Sequence, residues 1–259
     1  MGRAAIMVDT GPGSTASLAR AGASPSDLDA ILLTHLHPDH VSDLPALLWD
    51  EDVLGRNRAL FVAGPAANEF FPDTRVFLER LFGTAGAFPE LQTVMKAGSA
   101  FHLDVKVIET APIEARQVIS IDGAHISAYP VPHGRAPSLA FRIDGPGFSA
   151  VFASDQNGAD PGFASFARNA DVLVLHTALS PRAVQHPFAR VIGLPQTLGK
   201  LAAKAGAKRV VLSHLMAFPD THPAAASFSL ADPAALVAAV RATFGGDVQL
   251  AFDLECVPL

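Results

Sequence analysis

A short apolar strand followed by three histidines and an aspartate is the feature that most restricts how this chain can fold. The apolar run covers residues 29–33 and is typical of a buried strand in a layered sheet. The seven residues after it read Thr34-His35-Leu36-His37-Pro38-Asp39-His40.

The order of these side chains predicts sites for two neighbouring metal ions. Because alternate side chains of an extended backbone share a face, His35 and His37 are expected to point at one ion. The proline that follows turns the chain and leaves Asp39 and His40 free to face a second ion. Imidazole nitrogen with carboxylate oxygen suits zinc or a similar divalent metal. A histidine-rich surface loop, the plain alternative, would not need an aspartate between histidines directly after an apolar strand.

The composition restricts the partners of the protein. With 259 residues, 49% of them apolar and 17% charged, the chain is long and apolar enough for a sizeable core. The net charge is −6 and no cluster of lysine and arginine is present, so no nucleic-acid partner is expected. No apolar run approaches the roughly 18 residues of a membrane span, so no membrane partner is expected. The single cysteine, Cys256, is compatible with a cytoplasmic location.

Strand and helix patterns alternate along the whole chain. Each half gives strands followed by helices, which predicts an α/β fold of two sheets packed face to face with helices outside, in one domain over residues 1–259. Ser42 or Asp43 is expected to cap a helix that runs to about Asp50. A phenylalanine-rich segment at 66–100 contains a predicted helix at 74–82, capped by Asp73. Its aromatic residues are interpreted as core, with a lid or pocket wall over the metal site as the alternative.

Three more candidate ligands lie where predicted strands end, namely His133, Asp155 and His214. Each is a weak signal alone, but residues at strand ends converge on one edge of a sheet, where α/β proteins form their sites. Just beyond the first of them, Arg135 and Ser138 are placed either to reach an anionic group or to form a turn.

The full order of His-x-His-x-Asp-His, His, Asp and His resembles the metallo-β-lactamase fold superfamily of binuclear metallohydrolases. The resemblance covers nearly the whole chain and implies a four-layer αββα sandwich. It also implies two Zn²⁺ ions, with Mn²⁺ or Fe²⁺ as alternatives. By the same resemblance, the Asp9-Thr10-Gly11 turn supports the site. The implied ligands are His35, His37 and His133 for the first metal, Asp39, His40 and His214 for the second, and Asp155 between both.

The resemblance is strongest to the branch of tRNA-3′-processing endonucleases, arylsulfatases and phosphodiesterases. It implies that Asp39 also orients the hydroxide that bridges the metals and that His176 assists at the leaving group. Only 22 positions separate His133 from Asp155, which leaves no room for a tRNA-gripping arm. The predicted reaction is therefore hydrolysis of a small phosphodiester or sulfate ester. A lactonase or β-lactamase-type acyl hydrolase and a catalytically silent metal-binding scaffold are the alternatives.

The superfamily usually begins with one or two strands ahead of its first Asp-x-Gly turn, and here that turn arrives at residue 9. The first N-terminal strand or strands are therefore expected to be lacking. Either a truncated start or a segment from elsewhere, including a second subunit of a homodimer, would account for this. A lost signal peptide would make the periplasm the alternative to the cytoplasm.

Overall fold

A computed structural model describes residues 4–215 and 233–258, which form two β-sheets with helices on their outer faces. The first sheet has four parallel strands in the order β1-β2-β3-β4. They are β1 (Ile6–Val8), β2 (Ala30–Leu32), β3 (Leu60–Pro65) and β4 (Leu103–Ile108). Strands β2 and β3 are buried along their whole length, because parallel strands in the middle of a layered fold are covered on both faces.

The second sheet has seven strands in the order β11-β10-β9-β8-β7-β6-β5. They are β5 (Arg116–Ile121), β6 (Ala124–His133), β7 (Ala136–Gly145), β8 (Phe148–Phe152), β9 (Val172–His176), β10 (Arg209–Ser213) and β11 (Asp247–Leu250). Strands β5 to β8 form an antiparallel meander. The β5–β6 turn uses Asp122 and Gly123, both with positive φ, as a tight hairpin requires. Strands β8 to β11 are parallel.

Three hydrophobic clusters define four layers, αββα, which confirms the predicted fold class. One cluster lies between the two sheets, one lies between the first sheet and its helices, and one lies between the second sheet and its helices. The helices are α1 (Ser14–Arg20), α2 (Pro38–Val41), α3 (Leu44–Val53), α4 (Thr74–Phe82), α5 (Phe163–Phe166), α6 (Pro195–Ala205) and α7 (Pro233–Arg241). Short 3₁₀ turns cover Pro25–Asp27, Pro89–Met95 and Pro187–Arg190.

The phenylalanine-rich segment contains both core and surface residues. Helix α4 begins at the predicted residue, and the carboxylate of Asp73 accepts a hydrogen bond from the amide of Val76 at 2.7 Å. Phe82, the last residue of this helix, is fully buried, whereas Phe70, which precedes the helix, is 50% exposed. A lid role for the segment stays a prediction.

Among the described residues, every helix lacks the length and apolar character needed to cross a lipid bilayer.

A buried ion pair fastens the end of α3 to the first sheet. The guanidinium of Arg56 lies 2.8 Å from the carboxylate of Glu51, and both side chains are at most 1% exposed. Arg56 also donates to the carbonyl oxygens of Leu28, Ala59 and Arg58 at 2.8, 2.9 and 3.0 Å. The side chain of Arg56 therefore provides hydrogen-bond donors for backbone carbonyl oxygens of the loop that leads into β3.

Stability is expected to fall with rising pH because of Glu51. Burial, only partly offset by the charge of Arg56, raises the pKa of Glu51 from 4.5 to about 7. Between these values the folded chain binds more protons than the unfolded chain, so the free energy of unfolding falls as pH increases. Relative to Glu51→Gln, the wild type is expected to lose on the order of 1 kcal/mol per pH unit in this window. Urea denaturation at pH 5, 6, 7 and 8 measures the difference, and parallel profiles for the two proteins would contradict it.

Candidate metal centre

The His-rich segment is held in place by a short hydrogen-bond network at the end of β2. The Thr34 amide donates to Asp9 Oδ1 at 2.7 Å, and its hydroxyl donates to Asp9 Oδ2 at 2.8 Å. The carbonyl of Thr34 accepts from the amide of Leu139 in β7 at 2.9 Å. Thr34 therefore joins β1, β2 and the second sheet at the point where His35 begins. Sequence reasoning missed Thr34, whose only signal is a polar residue directly between a buried strand and the first histidine.

Three histidines converge into a first cluster, formed by His35, His37 and His133. His35 Nε2 lies 3.0 Å from His37 Nδ1, and His133 Nε2 lies 3.3 Å from the same nitrogen. Four ligands at about 2.1 Å from a tetrahedral zinc ion would stand about 3.4 Å apart, so this spacing fits a metal. Burial lowers the pKa of His35 and of His37, which keeps both rings in the neutral form that binds metals.

The tautomer of His133 also suits a metal ligand. Its Nδ1–H donates to the carbonyl oxygen of Val191 at 3.1 Å, which leaves the Nε2 lone pair directed at the cluster. Val191 directly follows the 3₁₀ turn Pro187–Arg190, so the loop between β9 and α6 fixes the orientation of the His133 ring. Sequence reasoning missed this contact, because a backbone acceptor leaves no side-chain signal.

A second cluster contains His40, Asp155, His176 and His214, whose candidate ligand atoms lie within 4.8 Å of one another. The Nε2 atoms of His40 and His214 are 3.3 Å apart. Asp39 stands at the rim of this cluster, with its Oδ2 3.5 Å from His214 Nε2 and its side chain 59% exposed. The structure thus brings together all seven ligands predicted from the sequence, with Asp39 as the most exposed member.

Asp155 lies between the two clusters. Its Oδ2 is 3.6 Å from His133 Nε2 in the first cluster, and 3.6 and 3.5 Å from the Nε2 atoms of His40 and His214 in the second. Its Oδ1 faces His176 Nδ1 at 2.7 Å. One carboxylate oxygen therefore reaches both clusters, while the other is held by a histidine.

The charges of the second cluster favour a cation. Burial opposes ionisation of Asp155, but hydrogen bonds from His176 and His40 outweigh it and hold its pKa well below the ordinary range. Burial likewise opposes protonation of His40, but hydrogen bonds to Asp155 and Asp9 outweigh it and raise the pKa of His40 to about 10. Burial lowers the pKa of His214. A buried carboxylate thus attracts positive charge to this position, either a proton or a metal ion.

Asp9 fixes the orientation of His40. Its Oδ2 accepts from His40 Nδ1 at 2.7 Å, so the Nε2 of His40 turns towards the cluster. Asp9 has a φ of 61°, which is the left-handed backbone conformation that residues other than glycine rarely adopt. Ser154 and His214, at the ends of β8 and β10, have a φ of 60° each. Three strand ends therefore carry unusual backbone conformations that direct side chains to the same place.

Backbone packing beneath Asp39 requires glycine at position 11. A Cβ on Gly11 would overlap the carbonyl oxygen of Asp39. The Asp9-Thr10-Gly11 turn, expected to support the site, therefore does so through the Asp9 carboxylate and through close contact with the backbone of α2.

Two further candidates occupy positions of their own. His176 Nδ1 faces Asp155, and its ring stacks on His214 with centroids 5.1 Å apart. Its role at the leaving group stays a prediction. Ser138 is buried and shares a hydrogen bond of 2.9 Å with the hydroxyl of Ser154, so it braces the strand end that carries Asp155.

Comparison with known proteins gives consistent similarities. Residues 4–215 match the family described as β-lactamase superfamily domain. Ribonuclease Z of Mycobacterium marinum is 29% identical over 272 residues, which is 97% of this chain and 87% of the relative. The metallo-β-lactamase fold protein YhfI of Bacillus subtilis has a TM-score of 0.68 at 19% identity, covering 97% of this chain and 85% of that one. Human tRNase Z, short form, has a TM-score of 0.72 at 19% identity, covering 98% and 88%.

One sequence prediction is wrong in the light of these relatives. A small-molecule substrate and no nucleic-acid partner were expected from the net charge of −6 and from the 22 positions between His133 and Asp155, yet the similar proteins include ribonuclease Z. The physical reason is that net charge sums over the whole surface, whereas cleavage of a phosphodiester requires positive charge only where the phosphate sits. Cations held by clustered histidine and aspartate would supply that charge without a basic patch.

Proposed function

The chain belongs to the β-lactamase superfamily, and we propose that it is a binuclear metal-dependent phosphodiesterase that cleaves RNA. Membership confirms the superfamily and the enzyme class predicted from the sequence, a metal-dependent hydrolase acting on ester bonds. The observation that carries the proposal is the position of Asp155, whose Oδ2 lies within 3.6 Å of histidine nitrogens in both clusters.

The proposed ligands follow the two clusters. His35, His37 and His133 would hold the first ion, Asp39, His40 and His214 would hold the second, and Asp155 would contribute to both sites. Imidazole and carboxylate donors at these spacings favour zinc, and they are also compatible with Mn²⁺ or Fe²⁺. Two such ions, when bound, would supply a nucleophile at neutral pH and positive charge for the phosphodiester oxygens.

Asp39 has the geometry of a group that handles a proton at the mouth of the site. Its carboxylate is 59% exposed and its Oδ2 lies 3.5 Å from His214 Nε2. The carboxylate can therefore accept a hydrogen bond from an attacking water while the water is oriented towards the phosphorus atom.

His176 is proposed to act at the leaving group, on the side of the phosphorus atom opposite the attacking water. Its Nδ1 is engaged with Asp155 Oδ1 at 2.7 Å, which fixes the ring and leaves Nε2 as the atom that can donate a proton to the leaving oxygen. The same hydrogen bond holds Asp155 so that its Oδ2 remains between the clusters.

RNA as the substrate class rests on the similarity to ribonuclease Z, which covers 97% of this chain. The sulfate ester that the sequence left open gains no support from these relatives. The test uses protein reconstituted with zinc or manganese and a substrate panel of labelled single-stranded RNA, DNA of the same sequence, an aryl sulfate and nitrocefin. Cleavage of the RNA that is lost in EDTA is expected. Intact RNA with turnover of the sulfate or of nitrocefin would overturn the proposal, and His35→Ala serves as the inactive control.

Replacing Asp9 by asparagine is expected to weaken metal binding about 10- to 100-fold. Asparagine adopts the left-handed conformation of position 9 readily. Its neutral amide, however, cannot supply the negatively charged oxygen that accepts the hydrogen bond from His40 Nδ1–H. Competition against a chromogenic zinc chelator measures the affinity. Asp104→Asn, a change on an exposed position of β4, is the matched control and should bind metal as the wild type does. Equal affinities for Asp9→Asn and Asp104→Asn would contradict the role of Asp9.

A further inference from the structure

A cation lies over an exposed aromatic ring beside the first cluster. The guanidinium carbon of Arg135 is 4.6 Å from the centroid of the Phe70 ring. Phe70 is 50% exposed, and Arg135 lies in the turn between β6 and β7. Half of the Phe70 side chain remains exposed, so part of the ring is available to contact a ligand.

Asn68 holds this arrangement from both sides. Its Nδ2 donates to the carbonyl oxygen of Arg135 at 2.8 Å. Its Oδ1 accepts from the amides of Phe70 and Phe71 at 2.9 Å each. One side chain thus ties the loop before α4 to the turn that follows His133, so the ring and the guanidinium are presented together.

The two residues lie next to the proposed metal site. Phe71 packs edge-on against His37, with ring centroids 5.5 Å apart. Arg135 follows His133 by two positions, and the Nε2 of His133 is 3.3 Å from His37 Nδ1. A cavity of about 210 Å³ beside them is lined by residues that include Asn68, His133 and Arg135. A nucleotide whose phosphate reaches the clusters would therefore have its flanking base beside Phe70.

We propose that Phe70 and Arg135 form a nucleotide-binding subsite, in which Phe70 stacks on a base next to the scissile phosphate and Arg135 contacts a flanking phosphate. The subsite rests on the proposed RNA phosphodiesterase function. Aromatic rings bind single-stranded nucleic acid by stacking on bases of any identity, and arginine pairs with phosphate oxygens through its planar fork. The base takes the place of the guanidinium over the ring, and the guanidinium, which stays charged, moves to the phosphate.

A pair of substrates with the same leaving group separates this subsite from the metal chemistry. Methyl p-nitrophenyl phosphate carries no base, whereas the thymidine 5′- and 3′-(p-nitrophenyl phosphates) do. Phe70→Ala is expected to raise KM for at least one thymidine ester about tenfold, with KM for the methyl ester unchanged. Phe70→Trp should retain the preference. Phe88→Ala, which removes a partly exposed ring beyond the C-terminal end of α4, is the matched control. Equal effects of Phe70→Ala on all substrates would overturn the subsite.

If none of the esters is hydrolysed, that result counts against the proposed function but not against the subsite. A binding measurement then tests the subsite by itself. Anisotropy of a fluorescein-labelled uridine hexanucleotide is followed with the zinc-loaded protein. Phe70→Ala is expected to weaken binding about tenfold. Arg135→Gln is expected to weaken it and to reduce its salt dependence by about one phosphate contact. Wild-type affinity in both variants would overturn the subsite independently of catalysis.

Discussion

Replacement of Asp155 by alanine is expected to remove hydrolysis almost completely, with a loss of at least about 10³-fold in kcat/KM. The reason is that Asp155 Oδ2 lies 3.5 to 3.6 Å from histidine nitrogens of both clusters, so one substitution affects both proposed ions. The protein should also bind fewer than two metal ions per chain. Hydrolysis of a p-nitrophenyl phosphodiester and metal content after gel filtration are the two measurements.

The matched control for this experiment is again Asp104→Asn, which changes an exposed carboxylate on β4. It should keep both the activity and the metal content of the wild type. An Asp155→Ala protein that is folded, binds two metals and retains more than about one tenth of the activity would show that the carboxylate does not join the clusters.

Replacement of Arg56 by alanine is expected to lower the free energy of unfolding by about 3–5 kcal/mol at pH 8, where Glu51 is ionised. The substitution leaves a carboxylate that is fully buried without its cation, and it removes donors from the carbonyl oxygens of Leu28 and Ala59. Marginally stable domains lose much of their stability through a change of this size. Urea denaturation measures it.

Arg58 provides the comparison two residues further along. Its guanidinium pairs with Asp29 at 2.6 Å, but its side chain is 45% exposed, so solvent screens the interaction. Arg58→Ala is expected to cost roughly 1 kcal/mol or less. Similar losses in the two variants would contradict the importance of burial at Arg56. The loss in Arg56→Ala should also become smaller at pH 5, because protonation of Glu51 then removes the unpaired charge.

Local signals were enough to predict much of the secondary structure. Helix α4 was predicted over residues 74–82 and observed at Thr74–Phe82, because its start depends on the side chain of Asp73 alone. The predicted N-cap position of α3 is confirmed at Asp43, but the capping hydrogen bond is not formed. Asp43 precedes that helix but makes no capping hydrogen bond, since its carboxylate accepts from the amide of Thr15 at 3.0 Å instead. A tertiary contact with α1 thus replaced the local one.

The candidate site was predictable to the extent that strand ends determine it. His133, Asp155 and His214 could be chosen from the sequence because the ends of neighbouring strands meet at one edge of a sheet. The different contacts of the two carboxylate oxygens of Asp155, Oδ1 with His176 and Oδ2 with both clusters, could not be predicted. They depend on His176, 21 positions away, and on histidines from both sheets.

The substrate class was beyond the reach of composition. Net charge averages over the whole surface, whereas the proposed nucleotide subsite uses only a few groups, Phe70 and Arg135 among them. Their proximity follows from Asn68, which lies 67 positions from the turn it holds. Residues so far apart give no pattern that could be recognised in the sequence before the fold is known.

The separation of the facing histidines along the chain has a consequence for how the molecule comes apart. His40 and His214 stand 174 positions apart and His37 and His133 stand 96 apart, yet each pair has nitrogens 3.3 Å from one another. An ion shared by such a pair closes a very long loop, as a disulfide does, but it can be withdrawn by a chelator. Ions held there would therefore act as removable cross-links between the two sheets, and their withdrawal would lower the free energy of unfolding.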